Sequence, residues 1–564
     1  MFITNQGGIG IDRNQQPFSF KHQINLLKII AKQWFATGNK HPCFKAPPNW
    51  LVSSVLYGLS WCMFFGLNLS FLAWFAFIPL FYDLEKRTSF CGFYKTGLFF
   101  SVVAYLIICH GFLFSAGNHL LVIAGSANEL LLSSFAFALL YPFKKKFGFP
   151  RALIMFPFII ALWEMAYQWL DHSYGYLMLS HSQCQNTWII QFIDLFGVWS
   201  IATWVMGFNV LLFFISKKSN GKYFTFSFLK KTALVCCLMI LPPLCYSMIR
   251  FQQIEDQKRQ QVNITLINTN FSVRDSITYE DYVSRIERLT FLTDSIDYEL
   301  KSRNLRTDLY VWPEGAVDFG NDSMFYGFID SAVRDWQTPL LAGMQIIPED
   351  ASATDRRRVN RAALISPGVP QNEFQHYDKV HLAPGTEKIP YYPLLVKIPG
   401  FPFSNMDSAW LKSGVKIQLI ELQIQDGEKV LMGTPICMEQ NYPEIWSEMA
   451  RRGAGFFVQL SYESWWQASY FKNQMANITR LRCIETRSAA ARCSNGGMTE
   501  FIDCFGKIQS QAKPADGCRT ANLSLNNEKT FFVEHYWNYS LICLIFIVGF
   551  SVAFFLKQPK PVVD

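Results

Sequence analysis

KVLMGTPICMEQNYPE (429–444) opens as an apolar run with strand character and passes into a helix-forming segment, and Cys437 stands at the changeover. A reactive side chain there is held by a rigid sheet edge, and the positive end of a helix beside it would favour a thiolate. The position suits a buried structural cysteine equally well, since free cysteines are among the most buried residues. Glu439 lies two residues further on. Upstream, NITLINTNF (263–271) and DLYVWPE (308–314) are short runs rich in β-branched and aromatic residues, and both read as buried strands. Between them Tyr282, Ile286, Leu289 and Leu292 recur at helical spacing within 279–300. Strand, helix, strand implies an α/β sheet, with further strands expected at 339–347, 361–367, 429–437 and 455–461.

The flanking sequence has a different character. Of 564 residues, 50% are hydrophobic and 16% aromatic, yet the mean hydropathy is only +0.12, the average of an apolar region and a water-soluble one. Eight apolar runs are candidates for crossing about 30 Å of hydrocarbon: roughly 50–65, 70–82, 96–114, 120–141, 152–170, 188–215, 232–249 and 539–556. The first two are short and closely joined, which also fits a re-entrant hairpin. Lys and Arg fall in alternate loops, at Lys86, Arg87 and Lys95, at Lys144 to Lys146 with Arg151, and at Lys217, Lys218, Lys222, Lys230 and Lys231. The first segment and the tail (Lys557, Lys560) are basic too, whereas 66–69, 115–119 and 171–187 contain neither residue. By the positive-inside rule both termini are expected in the cytoplasm and the long insert on the other side. The first apolar run starts too late for a cleaved signal peptide.

Composition excludes some classes. The formal charge is +8, but the cations sit in short groups between apolar runs, so no nucleic-acid partner is expected. Fourteen cysteines show no CxxC pair and no Cys/His ligand spacing, so no metal or other cofactor is expected. Cys504 and Cys518 flank a turn region and are candidates for a disulfide. A carboxylate in an apolar run, Glu164, is expected to face a polar interior.

Two more residues join Cys437 as candidates. Glu314, in VWPEG, follows an apolar strand and lies beside Trp312, an environment that would raise its pKa into the range of a general base. Taken alone, it reads better as a solvent-facing strand-end Glu. Lys379, in HYDKVHLAPGTE, precedes the acidic Glu387 and in isolation would pass for a surface lysine.

In combination and in this order, WPE, then YDK with HL and a later Glu, then PICxE, these segments resemble the nitrilase or carbon–nitrogen hydrolase superfamily. More closely, the chain resembles bacterial apolipoprotein N-acyltransferases, and the resemblance covers nearly everything after about residue 48. It includes Glu164, Gln191, Gly197 and Asn209, then Gly343, Asn360, KVHLAPGTEKIP (379–390), RCIETR (482–487) and RCSNGGMTEFID (492–503). The chain departs from the family at Met438, at Tyr462-Glu463 and in INTNFSVRD (267–275).

The resemblance implies an eight-helix membrane bundle carrying an inserted αββα sandwich: a cytoplasmic segment (1–48), seven transmembrane helices (49–250), an extracytoplasmic catalytic domain (251–535), and an eighth helix with a cytoplasmic tail (536–564). It implies a ping-pong acyl transfer in the bacterial inner membrane. Glu314 would act as acid/base, Lys379 as oxyanion stabiliser and Cys437 as the nucleophile that becomes a thioester. Glu387 and Glu439 would be accessory, and Trp465 would contact substrate. The expected partners are a phospholipid acyl donor and a diacylglyceryl lipoprotein acceptor, with the protein acting as a monomer. A membrane-tethered amidase and a catalytically silent lipoprotein-binding protein are the competing readings.

Overall fold

The computed structural model describes residues 47–556, apart from 62, 65–66, 111–118, 219–225, 256–258, 274–277, 318–322, 350, 353–354, 401–410, 426, 467–468, 513–514, 516 and 527. Among the described residues the insert contains twelve strands: β1 (Gln261–Asn268), β2 (Leu309–Val311), β3 (Leu340–Ile346), β4 (Val359–Ile365), β5 (Gln375–Asp378), β6 (Ile420–Gln423), β7 (Lys429–Gly433), β8 (Phe456–Tyr462), β9 (Ala490–Asn495), β10 (Thr499–Ile502), β11 (Ile508–Ala512) and β12 (Gly517–Ser524). They form two six-stranded sheets, ordered β12-β1-β2-β3-β4-β5 and β11-β10-β9-β8-β7-β6. Each sheet has three parallel strands at its centre, β1-β2-β3 and β7-β8-β9, with antiparallel strands outside them.

Side-chain alternation explains why the sheets stack. Val262, Ile264 and Leu266 on β1, with Leu309 and Val311 on β2, meet Met432, Phe456, Val458 and Leu460 of the other sheet in one buried cluster. Ile267 and Tyr310 point the opposite way, into a cluster with the helices Tyr279–Ser302 and Ser323–Trp336. The first of these starts at a capping box made by Thr278 and Asp281. Helices Pro443–Arg451 and Ser469–Thr486 cover the second sheet, which completes an αββα sandwich. Cys504 and Cys518 are both free thiols. Cys504 follows β10 in one sheet and Cys518 lies on β12 in the other, so the disulfide raised as a candidate is not formed.

Among the described residues, five helices are long and apolar enough to cross a membrane: Phe90–Ile108, Phe149–Gln168, Trp199–Lys218, Phe226–Ile254 and Asn538–Leu556. The first two expected spans take another form. Asn49–Ser60 has 12 residues and Ile78–Lys86 has 9, joined by a two-stranded hairpin (Met63–Phe64 with Leu67–Asn68) and a 3₁₀ turn. Twelve helical residues rise about 18 Å, less than the hydrocarbon thickness. The expected span at 120–141 is the helix His119–Ala138.

The sandwich is built into the helical half. Phe471, Met475, Ile478, Leu481 and Ile484, from the helix over the second sheet, share a single buried cluster with Phe77, Phe100, Phe156 and Trp199 of the bundle. Polar bonds fix the register of that contact. Arg487 Nε donates to Asp194 Oδ2 (2.9 Å), its Nη2 donates to the Gln191 carbonyl (2.9 Å), and the Val198 N–H donates to Glu485 Oε1 (2.7 Å). Arg487 and Asp194 are both buried, so removing the cation strands a carboxylate away from water. Arg487→Met is therefore expected to destabilise the protein by about 3 kcal/mol, the low end for a broken buried pair, because Arg250 and Tyr246 still meet Asp194. An earlier thermal unfolding transition in detergent is the readout.

Candidate active site

Glu314, Lys379 and Cys437 come from three separate strand ends and converge on one edge of the sandwich. Glu314 follows β2, and β3 passes so close behind it that a Cβ on Gly343 would lie 2.5 Å from Glu314 Cα and from the Pro313 carbonyl oxygen. Only glycine permits that approach. Lys379 follows β5, and its N–H donates to the Asn360 carbonyl on β4 (2.8 Å). Cys437 follows β7 and begins a 3₁₀ turn, Cys437–Asn441. Its φ of 50° lies in the left-handed region, which costs a non-glycine residue about 1–3 kcal/mol unless its surroundings hold it.

The charges are packed tightly. Lys379, 1% exposed, lies 2.8 Å from Glu387 Oε1 and 3.3 Å from Glu314 Oε1. Asn360 Nδ2 bridges the two acids, donating to Glu314 Oε1 (2.7 Å) and Glu387 Oε1 (3.0 Å). The Ala383 N–H donates to the other oxygen of Glu387 (2.7 Å). Glu314, 6% exposed, keeps Oε2 without a well-formed bond, which makes it the oxygen left for a thiol or a substrate proton. Burial pushes the Glu314 carboxyl above the ordinary range against the pull of Lys379. Burial alone would depress the Lys379 ammonium, but Glu314 and Glu387 outweigh it and hold the ammonium well above the usual lysine value.

Two expectations change here. The thiolate is not favoured at rest: burial, then the carboxylates Glu314, Glu387 and Glu463, raise the Cys437 thiol well above its ordinary value, and Lys379 opposes them only in part. A regular helix begins only at Pro443, so no strong helix end acts on the sulfur. Trp312 turns away from the site. Its Nε1 donates to Thr293 (3.0 Å) and its ring packs against Trp336, in the cluster on the helix side of the sheet. Trp465, 40% exposed, lies beyond β8 with its ring 6.1 Å from that of Tyr462, and is not among the residues gathered around Lys379.

Glu439 holds the Lys379 and Cys437 segments together. Its Oε1 accepts from Tyr377 Oη (2.7 Å), Val380 N (2.9 Å) and His381 N (3.1 Å), and its Oε2 accepts from Ile436 N (2.8 Å). One carboxylate thus fixes the segment bearing Lys379 against the turn bearing Cys437. Asn360 and Tyr377 were not assigned these roles from sequence, where nothing marks a strand-borne Asn or Tyr as a bridge.

The helical half reaches the same turn. Gln168 Nε2 donates to the Asn441 carbonyl (2.8 Å), Asn441 Nδ2 donates to the Tyr174 carbonyl (2.9 Å), and Tyr442 Oη donates to the Ser173 carbonyl. Tyr174 Oη donates to the Pro384 carbonyl (2.6 Å), and Lys388 pairs with Asp171. Elsewhere in the bundle Glu164 is buried and accepts from Ser180 Oγ (2.8 Å), and so faces a polar neighbour as expected. Among the described residues there is no cluster of His, Cys, Asp and Glu suited to a metal ion.

An amide in place of the Glu439 carboxylate would turn an NH₂ toward one of four N–H or O–H donors. A misplacement of about 1 Å at a catalytic group costs on the order of 10²-fold in rate, so Glu439→Gln is expected to lower kcat by that order. The protein should still purify from membranes in folded form, as judged by unfolding temperature.

Comparison with known proteins gives a consistent picture. The family model for the apolipoprotein N-acyltransferase N-terminal domain matches residues 54–211, and that for carbon–nitrogen hydrolase matches 292–530. The chain is 31% identical over 514 residues to an apolipoprotein N-acyltransferase of Chlorobaculum tepidum, covering 86% of this chain and 92% of the relative. It is 26% identical over 504 residues to apolipoprotein N-acyltransferase 1 of Treponema denticola, covering 82% and 87%. Among solved structures, Saccharomyces cerevisiae Nit3 of the nitrilase superfamily aligns with half of this chain and 94% of its own, at 16% identity and a TM-score of 0.34.

Proposed function

This chain belongs to the apolipoprotein N-acyltransferase family, and from that premise we propose that Glu314, Lys379 and Cys437 carry its acyl transfer. The observation that carries the proposal is a buried ammonium clamped between two carboxylates, with a protonated thiol beside the one whose second oxygen is unoccupied.

Glu314 takes the proton of Cys437 as the sulfur attacks the ester carbonyl of a phospholipid. The Lys379 ammonium stands by the oxyanion that forms. Collapse breaks the ester bond, Glu314 returns the proton to the departing alkoxide, and lysophospholipid leaves a thioester on Cys437. In the second half, the neutral N-terminal amine of a diacylglyceryl-cysteine lipoprotein attacks the thioester. Glu314 accepts an amine proton, the C–S bond breaks, and an N-acylated lipoprotein leaves as the thiolate is reprotonated. Glu387 acts by holding Lys379, Glu439 by holding the loops, and Trp465 belongs to the rim that meets substrate.

We place the protein in the bacterial inner membrane as a monomer, with residues 1–48 and the tail after the last helix in the cytoplasm. The catalytic domain, 251–535, lies on the opposite face between the bundle of 49–250 and the final span of 536–564. The alternation of basic loops supports this orientation. Asn49–Ser60, Ile78–Lys86 and His119–Ala138 join the five long helices to make eight membrane segments. The contact of the 168–175 loop with Asn441 and Tyr442 sets the nucleophile against the membrane half, where both lipid substrates are anchored.

Incubation with labelled phospholipid and no acceptor is expected to add one acyl-sized increment to the intact protein. The increment should be absent in Cys437→Ala and released by an acceptor amine; ready hydrolysis of small amides with no acyl adduct would overturn the proposal. The pH profile gives a second check. Only the carboxylate form of Glu314 can accept the thiol proton, and its raised pKa shifts its protonation upward from the ordinary glutamate range. The acid limb of kcat/KM is therefore expected above that range, and a limb at an ordinary carboxylate pKa would count against Glu314 as the base.

A further inference from the structure

A cleft lies near the end of the Phe226–Glu255 helix and the start of β1, apart from the Glu314, Lys379 and Cys437 cluster. Its volume is about 880 Å³, and it shares no lining residue with the catalytic cluster, while its size falls within the range of small-molecule sites. Trp188, Phe251 and Phe505 line one part of it, and Arg259 and Lys507 bring two cations. The one acid in the lining, Asp503, is turned into its own loop, where Oδ1 accepts from Phe505 N and Lys507 N, both at 2.9 Å. The charge facing the cleft is therefore predominantly positive.

The walls are held by the rest of the fold. The rings of Phe251 and Phe505 lie 4.8 Å apart, and the Arg487 guanidinium sits 5.8 Å over Phe505. Arg480 donates to the Gly506 carbonyl (2.6 Å) and to Thr187 Oγ1 (3.2 Å), tying the loop after β10 to the loop before Trp188. The setting is that of a bilayer surface. The Phe226–Ile254 helix is long and apolar enough to cross a membrane, few of its residues are buried within the protein, and Phe251 sits in its last turns. Trp188 is more than half exposed at the same level of the fold, an aromatic placed as interfacial anchors are.

Cations above an apolar, lipid-facing wall match one ligand chemistry, a phosphate joined to acyl chains. We propose that this cleft binds an anionic phospholipid, with its phosphate at Arg259 and Lys507 and its chains along the outer face of the Phe226–Ile254 helix. Such a lipid ties the catalytic domain to the bilayer surface on a side that takes no part in the acyl transfer. The proposal rests on no role assigned to Glu314, Lys379 or Cys437.

The full-length protein in phosphatidylcholine nanodiscs, doped with a photoreactive lipid bearing a diazirine high on one chain, provides the test. The probe headgroup is either phosphatidylglycerol or phosphatidylcholine, and adducts are mapped by peptide mass spectrometry. Two interfacial cations are expected to favour the anionic probe roughly tenfold on peptides containing Trp188, Phe251 or Phe505. Arg259→Gln combined with Lys507→Gln should erase that preference and leave acyl transfer intact. Equal labelling by the two probes in the unaltered protein, absence of adducts at the cleft, or a preference that survives the double substitution would each overturn the proposal. The two-probe comparison on the unaltered protein decides the matter even if the double variant does not fold.

Discussion

An ammonium ion buried as completely as that of Lys379 can stay charged only where carboxylates meet it, and most of the site is arranged around meeting it. Two acids are needed, and they come from different strand ends, so β2 and the loop after β5 must be brought to the same point. Asn360 then screens the two acids from each other by donating to both. Gly343 lets the backbone of Glu314 settle against β3. Buried singly, each of these charges would carry a prohibitive cost of desolvation, and the sandwich brings them into the dry interior only as a set.

The same packing explains why Cys437 rests as a thiol. Carboxylates that hold the lysine also surround the sulfur, and their field opposes a second negative charge. The thiol proton can leave only as another group accepts it. Glu314, with its own pKa raised and one oxygen unengaged, is matched to that exchange. Activation by a base and activation by a helix end are alternatives, and the local turn at Cys437 offers no helix end for the second.

Legibility from sequence followed the physics of each element. Strands β1, β3, β4 and β8 were readable because their buried faces are filled by Val, Ile, Leu and Phe. β9, AARCSN, was not, because a fully buried strand carrying Arg492 looks polar until Glu463 is placed against it. β11, IQSQA, is short and half exposed, with a pattern that any loop could show. Glu314, Lys379 and Cys437 stood out as a set through their spacing and order, but the binding role of Glu439 depends on four donors from three segments and has no local sign. Length separated the five long spans from the short pair at 49–60 and 78–86, which were apolar enough to suggest helices but too brief to show how they fold.

At the turn after Cys437 and at Pro384 the joint between the two halves is accepted by main chain, whereas Asp194, Glu485 and Asp171 accept through their side chains elsewhere along it. Ser173, Tyr174, Asn441 and Pro384 contribute carbonyl oxygens, and the donors are Tyr442, Asn441, Gln168 and Tyr174. A carbonyl is common to every residue, so the acceptors at Ser173 and Tyr174 would outlast a change of side chain, while Gln168 and Tyr174 also donate through theirs. What the 168–175 loop cannot change is its path: an insertion, a deletion or a proline there would move the acceptors themselves. The alignment of Cys437 with the helical half is in this sense stored partly as a shape of the backbone, which residue identity alone does not report.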